Sequence, residues 1–472
     1  MARKITRREL LGFGAAAVGG LTAWAGTAYT KTAGVSAATG GESAQRDARL
    51  HWEKSYSGGP ADVTPLPPGL PGKHYTPVVI PNGQTLPFKI VDGVKVFHVI
   101  AEEVDHYFDS GLRAKCWGYN GRVNATVIEA VEGERVRIYV TNRLKVPTSV
   151  HWHGFYLPNG MDGVSGMTQP QIRPGDTFKY EWTLRQHGTL MYHSHHDSMT
   201  QEGMGLIGMF VVHPRKPSSE YHVDRDFALL LSEWAIAPGT SRPNTLESSG
   251  FNILTINGKC FPSTDPLVCK TGDKVRIRLG NLSAMDHHPI HLHGYHFRIT
   301  ATDGGDIPLS AQWPETTVLV AVGQTRNVEF VTDMPGDWAM HCHMSHHMMN
   351  QMGHEIPNMV GVDPQGLDEK VRPLLPGYMT MGHAGMDMGR MAEVMPMPPN
   401  SIPMKGAVGP FGDYIGMGGM FTILKVRDHV ESYGKDPGWY AHPPGSIASR
   451  ASAFELARDG VDVHEPTSTP AG

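Results

Sequence analysis

The chain has 472 residues, of which 40% are hydrophobic and 18% are charged, so it is long enough for two or three globular domains. Its formal net charge is -5 and no basic block follows residue 40, which argues against a nucleic-acid-binding protein. Four cysteines are too few for a disulfide-rich scaffold, whereas 55 glycines and 36 prolines favour many turns and an all-β fold.

Residues 1–40 are predicted to be an export signal. Arg7 and Arg8 precede an apolar run that ends near Ala25 and is followed by small residues. This pattern looks like a twin-arginine signal, which exports folded, cofactor-loaded proteins in bacteria. A membrane anchor is the alternative, but the run is short and rich in glycine and alanine, which disfavours a spanning helix. We therefore expect a periplasmic or extracellular protein that uses the twin-arginine export machinery.

Two β-sandwiches are predicted after a linker over residues 41–75. From 76 to 216, short apolar or alternating runs recur between turns, and this spacing is typical of a β-sandwich. A second sandwich is predicted over 222–365 by runs of the same kind. The predicted strands are Phe97–Glu102, Val123–Val131 and Val136–Thr141 in the first unit, and Phe227–Leu231, Ile253–Asn257, Val275–Leu279, Thr317–Val322 and Asn327–Phe330 in the second.

The last part of the chain, residues 366–472, is predicted to be a Met-rich C-terminal extension. It holds ten methionines between Met379 and Met420, with glycine and proline throughout. Within it, Met420–Val426 reads as a strand and Ala451–Ala457 as a short helix. The thioethers are soft ligands that favour Cu(I), and the alternative is that they pack as flexible hydrophobic side chains. The candidate ligands of this segment are Met381, His383, Met386, Met388, Met391, Met395 and Met397.

Histidines occur in four clusters, two in each predicted sandwich. Because successive side chains of a strand point to opposite faces, both imidazoles of a His-x-His motif lie on one face. In the fourth cluster, Cys342 then points away from His341 and His343. A single His-x-His motif is common on protein surfaces or in zinc sites, but zinc sites close with about four ligands. Eight paired imidazoles beside a thiolate suit redox copper better. The pairs are His151/His153, His193/His195, His291/His293 and His341/His343.

The two predicted sandwiches also share the same order of sequence motifs. A turn precedes a strand in each sandwich, Gly133-Glu134 in the first and Gly272-Asp273 in the second. In both, an asparagine, a His-x-His-Gly element and a later histidine-rich strand follow in the same order. The two His-x-His-Gly elements are 140 residues apart, which is the size of one domain and indicates internal duplication.

With these motifs, residues from about 85 to 365 resemble the multicopper oxidases. The resemblance implies cupredoxin-like sandwiches and four copper ions, one of type 1, one of type 2 and two of type 3. It implies an enzyme that couples one-electron oxidation of a small reducing substrate to four-electron reduction of O2 to water. Carried over by motif, the type 1 ligands are His288, Cys342, His347 and axial Met352. The type 2 ligands are His151 and His291, and the type 3 ligands are His153, His193, His195, His293, His341 and His343.

Only two units carry clusters, so the chain is most similar to the two-domain, laccase-like group. In that group a copper cluster forms between the first domain of one chain and the second domain of its neighbour, which implies a homotrimer. The resemblance also implies that Asp162 helps to deliver protons, although an aspartate before glycine is equally a turn signal. The first domain lacks a His-Cys-His motif, and Cys116 has no neighbouring ligands, so no type 1 copper is expected there.

Several alternatives stay open from the sequence. The reducing substrate is either a phenol, as for a laccase, or a metal ion such as Cu(I), with a role in copper homeostasis. A copper nitrite reductase also has two such domains, although it does not need the type 3 histidines. A copper-binding or copper-resistance protein without turnover is a non-enzymatic alternative. Cys260 and Cys269 form either a disulfide or two buried thiols.

Overall fold

The fold is almost entirely β-structure, as predicted. A computed structural model describes residues 64–109, 111–237, 239–348, 373–374, 407–412 and 415–463. The regular helices within these ranges are short, and none could cross a membrane. The predicted export signal and most of the predicted linker lie outside the described residues. The helices are α1 (Ser198–Gly203) and α2 (Ala453–Arg458), with 3-10 turns at Asn159–Met161, Ser219–Tyr221, Leu309–Ala311 and Ser345–Met348.

Two five-stranded sheets form the first sandwich. Its strands are β1 (Gln84–Thr85), β2 (Phe88–Val91), β3 (Val94–Asp109), β4 (Leu112–Tyr119), β5 (Thr126–Val131), β6 (Arg135–Asn142), β7 (Val150–His153), β8 (Thr177–Thr183), β9 (Gly188–Ser194) and β10 (Ile207–His213). One sheet has the order β1-β5-β10-β9-β7, and the other has the order β2-β3-β6-β8 with β4 paired to β3.

A seven-stranded and a five-stranded sheet form the second sandwich. Its strands are β11 (Arg225–Trp234), β12 (Ile253–Ile256), β13 (Leu267–Lys270), β14 (Lys274–Asn281), β15 (His288–Leu292), β16 (Phe297–Thr302), β17 (Gly305–Asp306), β18 (Pro314–Glu315), β19 (Thr317–Val320), β20 (Thr325–Val331), β21 (Gly336–Cys342) and β22 (Phe421–Arg427). The smaller sheet has the order β13-β22-β21-β15-β19, and the larger contains β12-β11-β14-β20-β16-β17 with β18 beside β16.

Strand sequences reflect how many of their faces are covered. In β6, Val136, Ile138 and Val140 are buried in the sandwich core while the alternate residues are partly exposed, as expected for a strand with one wet face. In β10 every residue is buried, because Phe210 packs into the core while Met209 packs against the second sandwich. Continuous apolar runs such as β10 therefore mark the strands that lie between the two sandwiches.

The predicted boundary at residue 365 is too early for the second sandwich. Strand β22 lies far beyond it in sequence, yet it pairs with both β21 and β13 and is buried along almost its whole length. The main-chain N–H of Cys342 donates to the carbonyl oxygen of Met420 at 3.1 Å. The apolar run Phe421–Val426 belongs to the core of the second domain, so residues 366–472 are not simply an appended extension.

All four cysteines are buried free thiols. Cys260 lies in an apolar cluster with Phe108 and Trp234, whereas Cys269 lies in the core of the second sandwich. The disulfide between them is therefore not formed, and the alternative of two buried thiols is correct. Burial raises the pKa of both thiols, which keeps them protonated and unreactive.

A histidine of the first sandwich bridges to the second. His187, between β8 and β9, has its Nε2 at 3.0 Å from Asp306 Oδ2 of the second sandwich and its Nδ1 at 3.3 Å from Glu132 Oε2 of the first. The hydrogen bonds to Asp306 and then to Glu132 raise the pKa of His187 from its ordinary 6.5 to about 9. The imidazolium is therefore charged at neutral pH and links the two domains.

We expect this bridge to make stability depend on alkaline pH. The folded-state pKa of His187 is raised, so its contribution is fully present below pH 6.5 and is lost as the pH rises through about 9. Between about pH 7 and about pH 10, the wild type should lose roughly 1–2 kcal/mol of stability relative to His187→Gln, allowing for partial solvent screening. Urea unfolding of both proteins at each pH measures the difference, and parallel pH curves would contradict the assignment.

Candidate metal centres

The two sandwiches hold their histidines in the same strand register. Strand β7 pairs with β9 so that His151 lies opposite His193, and β15 pairs with β21 so that His291 lies opposite His341. In each sandwich the pair is at or near one edge of a sheet. The internal duplication seen in the sequence is thus a duplication of the histidine geometry.

Four histidines of the first sandwich, His151, His153, His193 and His195, form what we call the first half-site. The His151 ring centroid lies 5.7, 5.3 and 5.5 Å from those of the other three. His153 Nδ1 and His193 Nε2 are 3.4 Å apart. His151, His153 and His193 each offer a ring nitrogen within 4.8 Å of the others, which is close enough for shared metal ions.

The second half-site consists of His291, His293, His341 and His343. Its rings lie 4.8 to 5.7 Å apart, and the Nε2 atoms of His293 and His341 approach to 3.1 Å. His293 and His343 are solvent-exposed in the single chain. The half-site therefore presents unshielded imidazoles at the surface, unlike the more buried first half-site.

Ring orientation is fixed by hydrogen bonds on the nitrogen that faces away from each half-site. His341 Nδ1 donates to its neighbouring carbonyl oxygen at 2.9 Å, and His193 Nδ1 does the same at 3.0 Å. His291 Nδ1 donates to the carbonyl oxygen of Thr316 at 2.7 Å, and His151 Nδ1 donates to that of Asp162 at 2.8 Å. These bonds leave the opposite nitrogen of each ring free to bind a metal.

The third cluster is the mononuclear triad of His288, Cys342 and His347. All three are buried, and Cys342 Sγ lies 3.8 Å from His288 Nδ1 and 3.5 Å from His347 Nδ1. The two Nδ1 atoms are 3.1 Å apart. Burial lowers the pKa of His288 to about 3, with a further contribution from His347, so the imidazole is neutral and ready to act as a ligand.

The donor atoms of this triad fit one small metal ion. In a tetrahedral site with bonds of about 2.1 Å to nitrogen and about 2.3 Å to sulfur, as zinc has, the donor atoms lie roughly 3.4–3.6 Å apart. The two sulfur–nitrogen separations, 3.5 and 3.8 Å, are close to these values, whereas the nitrogen–nitrogen separation of 3.1 Å is shorter. Burial raises the pKa of the Cys342 thiol to about 12, so a thiolate here requires the charge of a bound cation. Imidazole and thiolate donors together favour copper or zinc over magnesium or calcium.

Cys342 covalently connects the mononuclear triad to the second half-site. It points into the triad, while His341 and His343 on either side of it join the second half-site. This arrangement follows from strand alternation, as the sequence predicted. The triad and the second half-site are thereby joined through a single tripeptide.

Asp162 reaches the first half-site through a tight turn. Its Oδ1 lies 3.5 Å from His151 Nδ1, which also donates a hydrogen bond to the carbonyl oxygen of Asp162. The next residue, Gly163, has φ +87°, and a Cβ there would lie 1.8 Å from the carbonyl oxygen of Val150. Only glycine permits this close approach, so the turn that holds Asp162 depends on it.

Several supporting contacts were not predicted from the sequence. Ser283 Oγ lies 2.6 Å from His288 Nε2, and Asp286 Oδ2 lies 3.4 Å from His347 Nε2. In the first half-site, Glu202 Oε1 lies 3.2 Å from His193 Nδ1. Burial alone would lower the pKa of His193, but the Glu202 carboxylate outweighs it and raises that pKa. Asp286 could have been suspected because it lies only two residues before the predicted ligand His288. Nothing in the sequence indicated Glu202 or Ser283.

Some predicted features fall outside the described residues. Met352, the predicted axial ligand, is one of them, and so are the candidate ligands Met381 to Met397. His196, which was not predicted to be a ligand, has its Nδ1 at 3.1 Å from Ser165 Oγ. Cys116 lies in an apolar cluster apart from the triad.

Comparison with known proteins supports the same chemistry. Two family models, each described as multicopper oxidase, match residues 101–217 and 236–361. The chain is 27% identical to copper resistance protein A of Escherichia coli, over 61% of this chain and 56% of that protein. It is 29% identical to Laccase-2 of Botryotinia fuckeliana, over 59% and 52% of the two chains. The chain thus spans about half the length of these relatives.

Solved structures give the same result for the fold. A blue copper oxidase from Nitrosomonas europaea matches with a TM-score of 0.52 and 26% identity, covering 70% of this chain and 85% of that one. The multicopper oxidase mgLAC matches with a TM-score of 0.51 and 26% identity, covering 70% and 86%. The prediction of two cupredoxin-like sandwiches is confirmed.

Proposed function

Because this chain belongs to the multicopper oxidase family, we propose that it is a copper-dependent oxidase that couples one-electron oxidation of a small substrate to reduction of O2 to water. The observation that carries this proposal is the connection between two donor sets by His341, Cys342 and His343. A zinc-binding protein has no need for a buried thiolate joined by one residue on each side to a second imidazole cluster.

The proposed cofactor is copper, four ions for each functional unit. The mononuclear triad would hold the type 1 ion, with Met352 as its proposed fourth ligand. His151 and His291 would hold the type 2 ion, and the remaining six histidines of the two half-sites would hold the type 3 pair. When bound, copper supplies the one-electron oxidation and the four-electron reduction of O2. The protein supplies neutral imidazoles, fixed ring orientations and a buried cysteine.

We propose that the working enzyme is a homotrimer in which each trinuclear site is shared between chains. Among the described residues, no metal-binding group of three or more side chains combines the two half-sites of one chain. The exposure of His293 and His343 supports a second copy as the missing partner, and a ring of three chains would complete every site. The second half-site of one chain would then meet the first half-site of its neighbour.

Asp162 is proposed to hold a proton for delivery to the shared site. Reduction of O2 to water consumes protons, and the carboxylate is partly exposed while also touching His151, with 28% of its side chain accessible. It can therefore exchange protons with solvent on one side, and on the other side it lies beside the outer nitrogen of His151, a residue of the half-site. The turn fixed by Gly163 keeps it in this position.

Either a phenol or a metal ion could be the reducing substrate. One relative is called a copper resistance protein and another a laccase, which supports both classes. The Met-rich sequence favours Cu(I), because thioethers bind cuprous ions. Together with the twin-arginine sequence pattern, this supports an exported enzyme of copper homeostasis.

Steady-state oxygen uptake tests the function and the substrate together. The copper-loaded protein should consume O2 with Cu(I) or with a phenol, and it should not consume nitrite under anaerobic conditions. Deletion of 379–404 should lower kcat/KM for Cu(I) severalfold and leave that for the phenol unchanged, since only Cu(I) needs thioether ligands.

Nitrite loss without oxygen uptake would instead indicate a nitrite reductase. Copper binding with neither reaction would indicate a copper-binding or copper-resistance protein without turnover. An equal fall in both rates after the deletion would contradict a specific role of the methionines in Cu(I) oxidation.

A further inference from the structure

The first sandwich contains a counterpart of the mononuclear triad that has no metal-binding side chains. The shared register makes His151 the equivalent of His291 and His193 the equivalent of His341. Ser194, which follows His193, therefore corresponds to Cys342. Thr148, three residues before His151, corresponds in the same way to His288. Both residues are completely buried.

A glutamine completes this counterpart. The Oε1 atom of Gln201, on α1, accepts hydrogen bonds from Thr148 Oγ1 at 2.7 Å and Ser194 Oγ at 2.5 Å. Its Nε2 atom donates to the carbonyl oxygen of Pro147 at 2.8 Å. The two hydroxyl oxygens are 3.4 Å apart. We call Thr148, Ser194 and Gln201 the polar triad.

The two triads occupy the same place relative to their half-sites. In the second sandwich the donors of the mononuclear triad would be joined by an ion, which would tie Cys342 on β21 to His288 on β15. In the first sandwich Gln201 ties Ser194 on β9 to residues 147–148, directly before β7. Since β7 and β9 carry the first half-site and are already paired, this connection is a side-chain link beside the ends of these strands.

We propose that Gln201 is a positioning residue, which does for the first half-site by hydrogen bonding what the mononuclear metal ion does for the second. This inference rests on the proposed function, because it assumes that the first half-site binds copper. Gln201 is 1% exposed and takes part in three hydrogen bonds that converge on one amide group. Such a connection is directional, and it adds to the main-chain pairing that already holds β7 and β9 in register.

The test replaces Gln201 with methionine, which is similar in size but makes none of these hydrogen bonds. Copper binding to the trinuclear site should weaken roughly 10–100-fold, as for loss of other groups that orient metal ligands. The blue absorption of the mononuclear site should remain, since that site lies in the other sandwich. Electron paramagnetic resonance of the type 2 signal, the type 3 absorption band and copper content at limiting copper measure the difference.

A triple variant separates positioning from simple destabilisation. Gln201→Met leaves two buried hydroxyl groups without their acceptor, which by itself destabilises the protein. Adding Thr148→Val and Ser194→Ala removes those hydroxyl groups and should restore much of the melting temperature. If Gln201 positions the half-site, trinuclear copper stays low in the triple variant. If its role is only structural, copper returns together with stability, and the proposal is wrong.

Two controls keep the outcomes distinct. Thr126→Val removes another buried hydrogen bond of the first sandwich, from Thr126 Oγ1 to the carbonyl oxygen of Tyr119. It leaves the polar triad and the hydrogen bond from Tyr192 of β9 to the main-chain carbonyl of Thr126 in place. It should lower stability without loss of trinuclear copper. Wild-type protein without a trinuclear signal would overturn the proposed function itself. Normal trinuclear copper in Gln201→Met, beside a normal wild type, would overturn only the inference about Gln201.

Discussion

Replacement of Cys342 by serine should give a colourless protein that still folds. The blue absorption of a type 1 site comes from the copper–thiolate bond, and a hydroxyl group is a poor substitute for a soft thiolate. Substrate oxidation should fall by about 100-fold or more, since loss of a direct ligand exceeds the usual effect of losing an outer partner. Visible absorption and oxygen uptake measure the two effects, and circular dichroism and the oligomeric mass should be unchanged.

Cys116→Ser provides a matched control for this experiment. Cys116 is as deeply buried as Cys342, but it lies among apolar residues of a different cluster. Its replacement should alter stability and leave colour and turnover intact. Oxidation at the normal rate in Cys342→Ser would show that electrons do not enter through this cysteine.

Two inactive variants should regain activity when they are produced together. His151→Ala/His153→Ala destroys the first half-site, and His291→Ala/His293→Ala destroys the second. In a mixed ring, one junction joins the intact first half-site of one chain to the intact second half-site of another. With equal random mixing, about one quarter of all sites would be intact, so about one quarter of wild-type activity should return.

This result distinguishes sharing between chains from assembly within one chain. If each trinuclear site formed within one chain, every chain in the mixture would carry one damaged half and activity would stay absent. Native mass spectrometry should establish that mixed trimers are present. Both variants should keep the blue absorption, because neither change touches the mononuclear triad.

The sequence predicted the parts of the site that depend on strand alternation. The pairing within each His-x-His motif and the opposite direction of Cys342 follow from the two-residue period of a strand, and the structure has both. It also brings His288 and His347 to Cys342, which the resemblance implied. The two predictions from strand alternation hold because residues at fixed spacing determine the local geometry, whereas the approach of His288 to Cys342 came from the resemblance alone.

Contacts made by distant segments could not be predicted in this way. Glu202 reaches His193 only because α1 folds back toward β9, and Gln201 reaches Thr148 for the same reason. The boundary of the second sandwich was misplaced because the partner of β21 lies almost 80 residues further along the chain. Neither composition nor periodicity contains the pairing of such separated segments.

Strand β22 has a consequence for the order in which the protein matures. The sheet that carries Cys342 is incomplete until β22 has been synthesised and has inserted between β21 and β13. The main-chain contact between Met420 and His347, at 2.9 Å, likewise forms only then. We therefore expect the main chain around Cys342 and His347 to gain its last hydrogen bonds only after residues 420–427 have been synthesised. A chain that stops before residue 420 lacks part of the core of the second sandwich, including Leu424 and Val426.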